Sequence, residues 1–150
     1  MSSPRPLLNA PGGCDQARVS PDGRWIAYRS VESGRMEVYL QSLPPSDAGR
    51  LQVSTGGGLE PRWRGDGKEL FYLEGSNLMA TPVDLGQPVP RIGTPTRLFV
   101  APLDPVQRRN RYVVTKDGKR FLFVTPLSPS ARTLQVIVNW TARLTPAGAQ

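Results

Sequence analysis

The chain has 150 residues, 16 prolines, 15 glycines, one cysteine, no histidine and a formal charge of +7. Pro and Gly punctuate it too closely for long helices, yet 38% hydrophobic residues can pack a core, so disorder and collagen-like structure are excluded. Without histidine no Ser-His-Asp or Cys-His arrangement can be built, and a lone Cys14 gives no internal disulfide or thiolate cluster. The first residues, Met1 to Leu8, lack the roughly 7–15-residue apolar run of a signal peptide. Nothing approaches the ~20 apolar residues of a membrane-spanning helix, so a soluble chain without membrane insertion is expected. The compartment is left open.

In chain order, the first strong feature is Ala17–Tyr28, where Val19-Ser20-Pro21-Asp22-Gly23-Arg24-Trp25-Ile26 places an Asp-Gly pair between apolar runs. Asp bonds readily to its own backbone two residues on, and Gly supplies positive φ at no steric cost, so this pattern predicts a hairpin. Strand-like runs follow at Met36–Leu40 and Leu51–Val53, separated by the turn-rich Ser42–Gly49. Thr55–Gly58 is turn-rich, and its Gly56-Gly57-Gly58 reads as a flexible connection between blades. The Asp-Gly pattern returns at Pro61–Tyr72, around Asp66 and Gly67, followed by Leu78–Thr81 with Val83, the turn-rich Leu85–Pro95, and Arg97–Val100. A third copy spans Tyr112–Phe123, around Asp117 and Gly118, followed by a turn at Pro126–Ser130 and the β-branched run Leu134–Trp140.

The Asp-Gly pairs at 22, 66 and 117 thus mark a unit recurring every 44 to 51 residues. A unit of about four short strands is the pattern of a propeller blade, whereas a sandwich does not repeat one turn motif every four strands. The expectation is an all-β chain of about three four-stranded antiparallel blades, half of a six-bladed propeller. The divisions are an N-terminal extension or remnant of a preceding blade (1–13), blade 1 (14–58), blade 2 (59–107), blade 3 (108–142) and a tail (143–150). The aspartates and glycines of the three turns are read as structural.

Ser-Pro-Asp-Gly followed by a basic residue and an apolar pair resembles the WD40-like repeats of TolB-type six-bladed β-propellers. The match is close at Ser20–Tyr28, slightly degraded at Arg64–Tyr72, and without the Ser-Pro at Thr115–Val124. Val53–Arg64 and Val138-Asn139-Trp140-Thr141-Ala142 look like the carboxy-terminal end of bacterial sensor propellers, which often follow a serine/threonine kinase domain and a membrane span. Relatives of this kind are often periplasmic or extracytoplasmic. The resemblance implies a module for protein–protein interaction or ligand sensing, binding through the channel mouth and blade loops.

Gln16, Glu60 and Arg111 each lie six residues before a turn Asp, so they should open the innermost strands near one mouth and suit a polar peptide or protein. The aromatics Trp25, Tyr28, Trp63, Phe71, Tyr72, Phe121 and Phe123 fall at repeat-equivalent places and read as core, with Trp140 as a further packing anchor.

Residues 1–104 carry equal numbers of basic and acidic side chains, so the +7 comes almost wholly from the third repeat and its flanks. There Arg108, Arg109, Arg111, Lys119 and Arg120 offer an alternative polyanion or nucleic-acid surface, although no recognition motif accompanies them. A second alternative is a gating propeller of a peptidase-like protein lacking its catalytic domain, since there is no Gly-x-Ser-x-Gly elbow. No enzyme activity, cofactor or metal site is expected. Three blades cannot close a ring of the usual 4–8, and one way to hide the end faces is a homodimer that completes six.

Overall fold

The computed structural model describes residues 7, 8, 10, 12–45, 49–87, 90–128 and 131–138, and side chains are not described for 126–135, 137 and 138. Trp140, most of the N-terminal extension and the tail at 143–150 lie outside the described residues. All the described regular structure is β, in three antiparallel sheets.

The first sheet has the order β1 (Cys14–Val19), β2 (Trp25–Ser30), β3 (Glu37–Ser42), β4 (Arg50–Gln52). The second runs β5 (Leu59–Trp63), β6 (Glu69–Glu74), β7 (Asn77–Asp84), and the long β7 then pairs with both β8 (Arg91–Ile92) and β9 (Thr96–Val100). The third is β10 (Tyr112–Val114), β11 (Arg120–Ser128), β12 (Ala131–Val138), with no fourth strand among the described residues. The turn expected at Pro126–Ser130 is shorter than its sequence suggests. Pro126 stays in the ladder opposite Arg132 because a bulge between Pro126 and Ser128 accommodates it, and a bulge is where a strand tolerates proline.

The three Asp-Gly turns share one geometry. Each Gly N–H donates to the carbonyl three residues back, at 2.9–3.0 Å, and each Gly takes φ of 72–74°. The Asp itself does not enter the left-handed region. Its carboxylate accepts the N–H two residues on, from Arg24, Lys68 and Lys119, at 3.0–3.1 Å. Ser20 and Thr115 donate their hydroxyls to Asp22 and Asp117, and the degraded second copy replaces that hydroxyl with the Arg64 guanidinium, 2.7 Å from Asp66. Arg64 also holds Asp66 well below the usual carboxylate range, at about 2, with help from the Lys68 N–H. Gly65, which stands where the first copy has Pro21, donates its N–H to Lys116 O of the next blade at 2.8 Å, a bond proline cannot make.

Strand alternation sends successive residues to opposite neighbours. Leu70 and Tyr72 of β6 pack with Ala27, Val38 and Leu40 of blade 1, while Phe71 and Leu73 pack with Tyr112, Phe121 and Phe123 of blade 3. Phe71 and Phe121 meet edge to face at 5.1 Å. The aromatics read as core are buried, apart from a half-buried Trp63 whose indole N–H donates to Arg18 O at 3.0 Å across the blade 1–blade 2 boundary.

The segment read as a flexible connection is held in place. Gly57 N–H donates to the Glu37 carboxylate, which is 1% exposed and also bound by Ser54 Oγ and by Arg35 Nε. Gly58 N–H donates to Met36 O at 2.8 Å, and a Cβ on Gly58 would lie 2.8 Å from Val38. Glu37 is buried because it replaces water as the acceptor for this loop.

Candidate functional site: the blade-opening residues and the cleft beside them

The first strands of the three sheets, β1, β5 and β10, lie side by side. At their openings the chain enters the left-handed region at non-glycine residues, Gln16 (φ 55°), Glu60 (φ 53°) and Asn110 (φ 53°). In β1 and β5 this residue sits in a bulge, between the paired Asp15 and Arg18 and between Leu59 and Arg62. In the third copy it falls one residue earlier than the repeat spacing implies, at Asn110 rather than Arg111.

The bulges turn these side chains toward the next blade. Gln16 Oε1 accepts the Glu60 N–H at 2.8 Å, and Glu60 Oε2 accepts the Arg111 N–H at 2.9 Å. Blade to blade, the same position repeats one bond: a side-chain oxygen takes the N–H of its successor. Arg111 is only a donor and folds back, placing Nε 2.8 Å from Glu60 Oε1. The three residues singled out from spacing are therefore brought together, but not as three ligand-facing groups. Glu60 is 1% exposed and serves as the tie between blades 2 and 3.

Further bonds converge on it. Tyr112 donates its hydroxyl to Glu60 O at 2.9 Å, and burial pushes this phenol far above its ordinary pKa. Arg62 lies 3.5 Å from Glu60 Oε2, with its guanidinium carbon 5.4 Å from the Tyr112 ring centroid, a cation–π placement. Burial lowers the Arg62 pKa.

Outside these ties opens a cleft of about 500 Å³, lined on one side by Gln16 and Arg29 and on the other by Arg108, Arg109 and Arg111. Asp15 binds Arg29 through both oxygens at 2.6 Å, and Arg109 reaches across from the blade 3 loop to within 3.6 Å of the same carboxylate. Arg29 and Arg111 are thus neutralised by nearby acids, while Arg108 and the 72%-exposed Arg109 side chain carry the cleft's excess positive charge. Arg29 and Asp15, which spacing did not single out, are recognisable only once the bulge has set them face to face.

The basic cluster of the third repeat is divided. Arg108, Arg109 and Arg111 stand at the opening of β10, whereas Lys119 and Arg120 follow the turn at its other end, roughly 13 Å from Arg111 by strand rise. Arg120 lines a shallow apolar depression on the outer side of blade 3 instead.

No protein-family model matches the chain, and no curated protein matches it. Solved structures do. An oligogalacturonate lyase from Vibrio parahaemolyticus matches over 71% of this chain and 27% of its own, at 16% identity and a TM-score of 0.52. TolB from Acinetobacter baumannii matches over 89% and 43%, at 20% identity and a TM-score of 0.43. A candidate 6-phosphogluconolactonase from Bacteroides uniformis matches over 87% and 42%, at 20% identity and a TM-score of 0.48. The chain spans less than half the length of each of these proteins. All three are β-propellers; the likeness to the lyase, together with the three antiparallel sheets, gives this chain a β-propeller fold, seen as three consecutive blades.

Proposed function

We propose that the chain is a non-catalytic binding module whose cleft takes a carboxylate-bearing peptide segment of a partner protein. One observation carries this reading: the 500 Å³ cleft at the strand openings presents Arg108, which has no acid partner among the described residues, and a largely exposed Arg109, whose nearest acid, Asp15, is already bound by Arg29. A guanidinium matches a carboxylate in plane and in spacing, and two of them at a cleft edge favour an acidic segment over a neutral one. Nearby acids hold the architecture: Glu60 is spent on Arg111 and the blade tie, Asp15 on Arg29, and the buried Asp104 in the cleft wall accepts the Val106 N–H. That use supports binding rather than acid–base chemistry. Nucleic acid is the weaker reading, because the basic residues are split between the two ends of β10 and the repeat aromatics are packed between blades rather than offered for base stacking.

Fluorescence anisotropy with a labelled hexaglutamate peptide tests this, with hexalysine and a single-stranded oligonucleotide as comparison probes. Hexaglutamate should bind, weaken with added salt, and lose about tenfold in affinity on combined Arg108→Ala and Arg109→Ala substitution, at roughly 0.7 kcal/mol per exposed charge. Hexaglutamate binding that is absent, or indifferent to those substitutions, would reject the proposal. Tighter oligonucleotide binding that depends on Lys119 and Arg120 would replace it with the polyanion reading.

A further inference from the structure

The two ends of the blade stack are not equivalent, and both are incompletely covered. By register, the cross-strand pair that faces the following blade is Ala27–Leu40 in blade 1 and Phe71–Ala80 in blade 2. The same pair in blade 3 is Leu122–Val136, with Val113 beside it in the row. The first two pairs are buried against a neighbour, whereas Val113 is 51% and Val136 57% exposed around the depression of about 310 Å³. This face has the position and the apolar chemistry of a blade-to-blade contact without the blade.

The opposite end carries the complementary surface. The residues that receive a preceding blade are Leu70 and Tyr72 in blade 2, and the same positions in blade 1 are Ile26 and Tyr28. Leu8 and Ala10 lie on this face in the single chain, but Val19, paired with Ile26, remains 53% exposed. The cover also fails to satisfy it. Among the described residues, five buried side-chain polar atoms lack a hydrogen-bond partner, and four belong to blade 1: Tyr28 OH, Glu32 Oε1, Tyr39 OH and Gln41 Oε1. Native interiors leave few such atoms, each costing about 1–3 kcal/mol, so their concentration on one blade marks a face lacking its partner.

We infer that these two faces are made for each other in a second copy: the Val113, Leu122, Val136 face of one chain packs on the Val19, Ile26, Tyr28 face of the other. Such a contact is head to tail. Repeated once about a two-fold axis along the channel, it closes a ring of six blades and ends there, where a different rotation would give an open filament. Leu8 and Ala10 leave the face, and the partner blade supplies partners for the orphaned polar atoms. The cleft then belongs to a closed mouth, with the second copy contributing an equivalent set of blade-opening residues.

Sedimentation equilibrium of the full chain tests this, with circular dichroism to confirm the β fold. The expected mass is twice 16.4 kDa. Val113→Lys and Val19→Lys alter exposed positions on opposite end faces, so each should leave the fold intact and weaken dimerisation at least tenfold. Val106→Lys, at a still more exposed loop position, should leave the mass unchanged. A folded wild-type monomer, masses running beyond the dimer, or a wild-type chain that fails to fold alone would each overturn the inference. A dimer broken by Val113→Lys but not by Val19→Lys would overturn the head-to-tail arrangement in favour of two blade 3 faces meeting. Every one of these results except a failure to fold leaves the cleft in place, so hexaglutamate binding by the folded chain tests the first proposal separately.

Discussion

Glu60 occupies a backbone region that few non-glycine residues enter, and it does so within a bulge that aims its carboxylate at the next blade. From there one side chain serves the Arg111 N–H, the Arg111 guanidinium and the Arg62 guanidinium, while its carbonyl takes the Tyr112 hydroxyl. Its removal leaves two largely buried cations without a counterion. Glu60→Ala should therefore cost about 3–5 kcal/mol in urea unfolding, the range for breaking a buried pair from one side. Gln16→Ala removes a single neutral hydrogen bond and should cost about 1 kcal/mol. If the two substitutions cost the same, Glu60 is not the joint between blades 2 and 3. Spacing from the turn Asp picks out Gln16, Glu60 and Arg111, which the structure joins by hydrogen bonds from blade to blade, because a repeated strand length carries equivalent residues to equivalent places. It could not reveal that the left-handed residue slips to Asn110 in the third copy, since that depends on where the bulge forms against the neighbouring strand.

At the level of strands and turns, the sequence was most legible where the structure is most local. Each Asp-Gly turn is closed by bonds spanning two to five residues, so a short motif contains its whole cause. The glycine-rich segment after β4 reads as flexible from sequence, yet it is anchored, because its partner, Glu37, lies about 20 residues upstream and nothing nearby announces it. The loop's rigidity gives two glycines opposite reasons to resist alanine. Gly58 would collide with Val38 and Ser54, an overpacking that should cost about 2–3 kcal/mol and loosen the Glu37 anchor. Gly23 has open space around it but a φ of 74°, so Gly23→Ala should cost only about 1 kcal/mol of backbone strain. Thermal or urea unfolding of both variants should place Gly58→Ala clearly below Gly23→Ala; the reverse order would mean that the loop yields to the added methyl group. The division of the third repeat's basic residues was legible only in part. Their clustering in sequence is real, but a hairpin turn sends its two arms to different ends of the strand, and charge counting has no term for that.

Across the molecule, a buried tyrosine recurs on successive blades: Tyr28 on the outer face of blade 1, Tyr72 between blades 1 and 2, and Tyr112 between blades 2 and 3. Burial pushes the Tyr28 and Tyr72 phenols up to about 12, and Tyr112 further still. The unfolded chain ionises its tyrosines near pH 10, so above that value it binds fewer protons than the folded chain and stability must fall as pH rises. Below pH 10 both states keep their protons and this contribution is fully present. Each retained proton steepens the loss by about 1.4 kcal/mol per pH unit, so three together approach ~4 kcal/mol per unit between pH 10 and 12. A domain with a stability of about 5–15 kcal/mol exhausts its reserve over such a span, and the blades should therefore come apart before their tyrosines titrate. Absorbance at 295 nm should accordingly show most of the tyrosinate appearing together with the loss of the β circular dichroism signal, not ahead of it. Tyr72→Phe, which removes one of the three protons, should flatten the fall in urea midpoint between pH 10 and 11 by about a third, even if the variant is less stable at neutral pH. Full tyrosinate absorbance near pH 10 with an intact β signal would mean that the blades open to solvent without unfolding, and that the packing between them is not the cooperative unit that the shared cores and the Gln16–Glu60–Arg111 ties make of it.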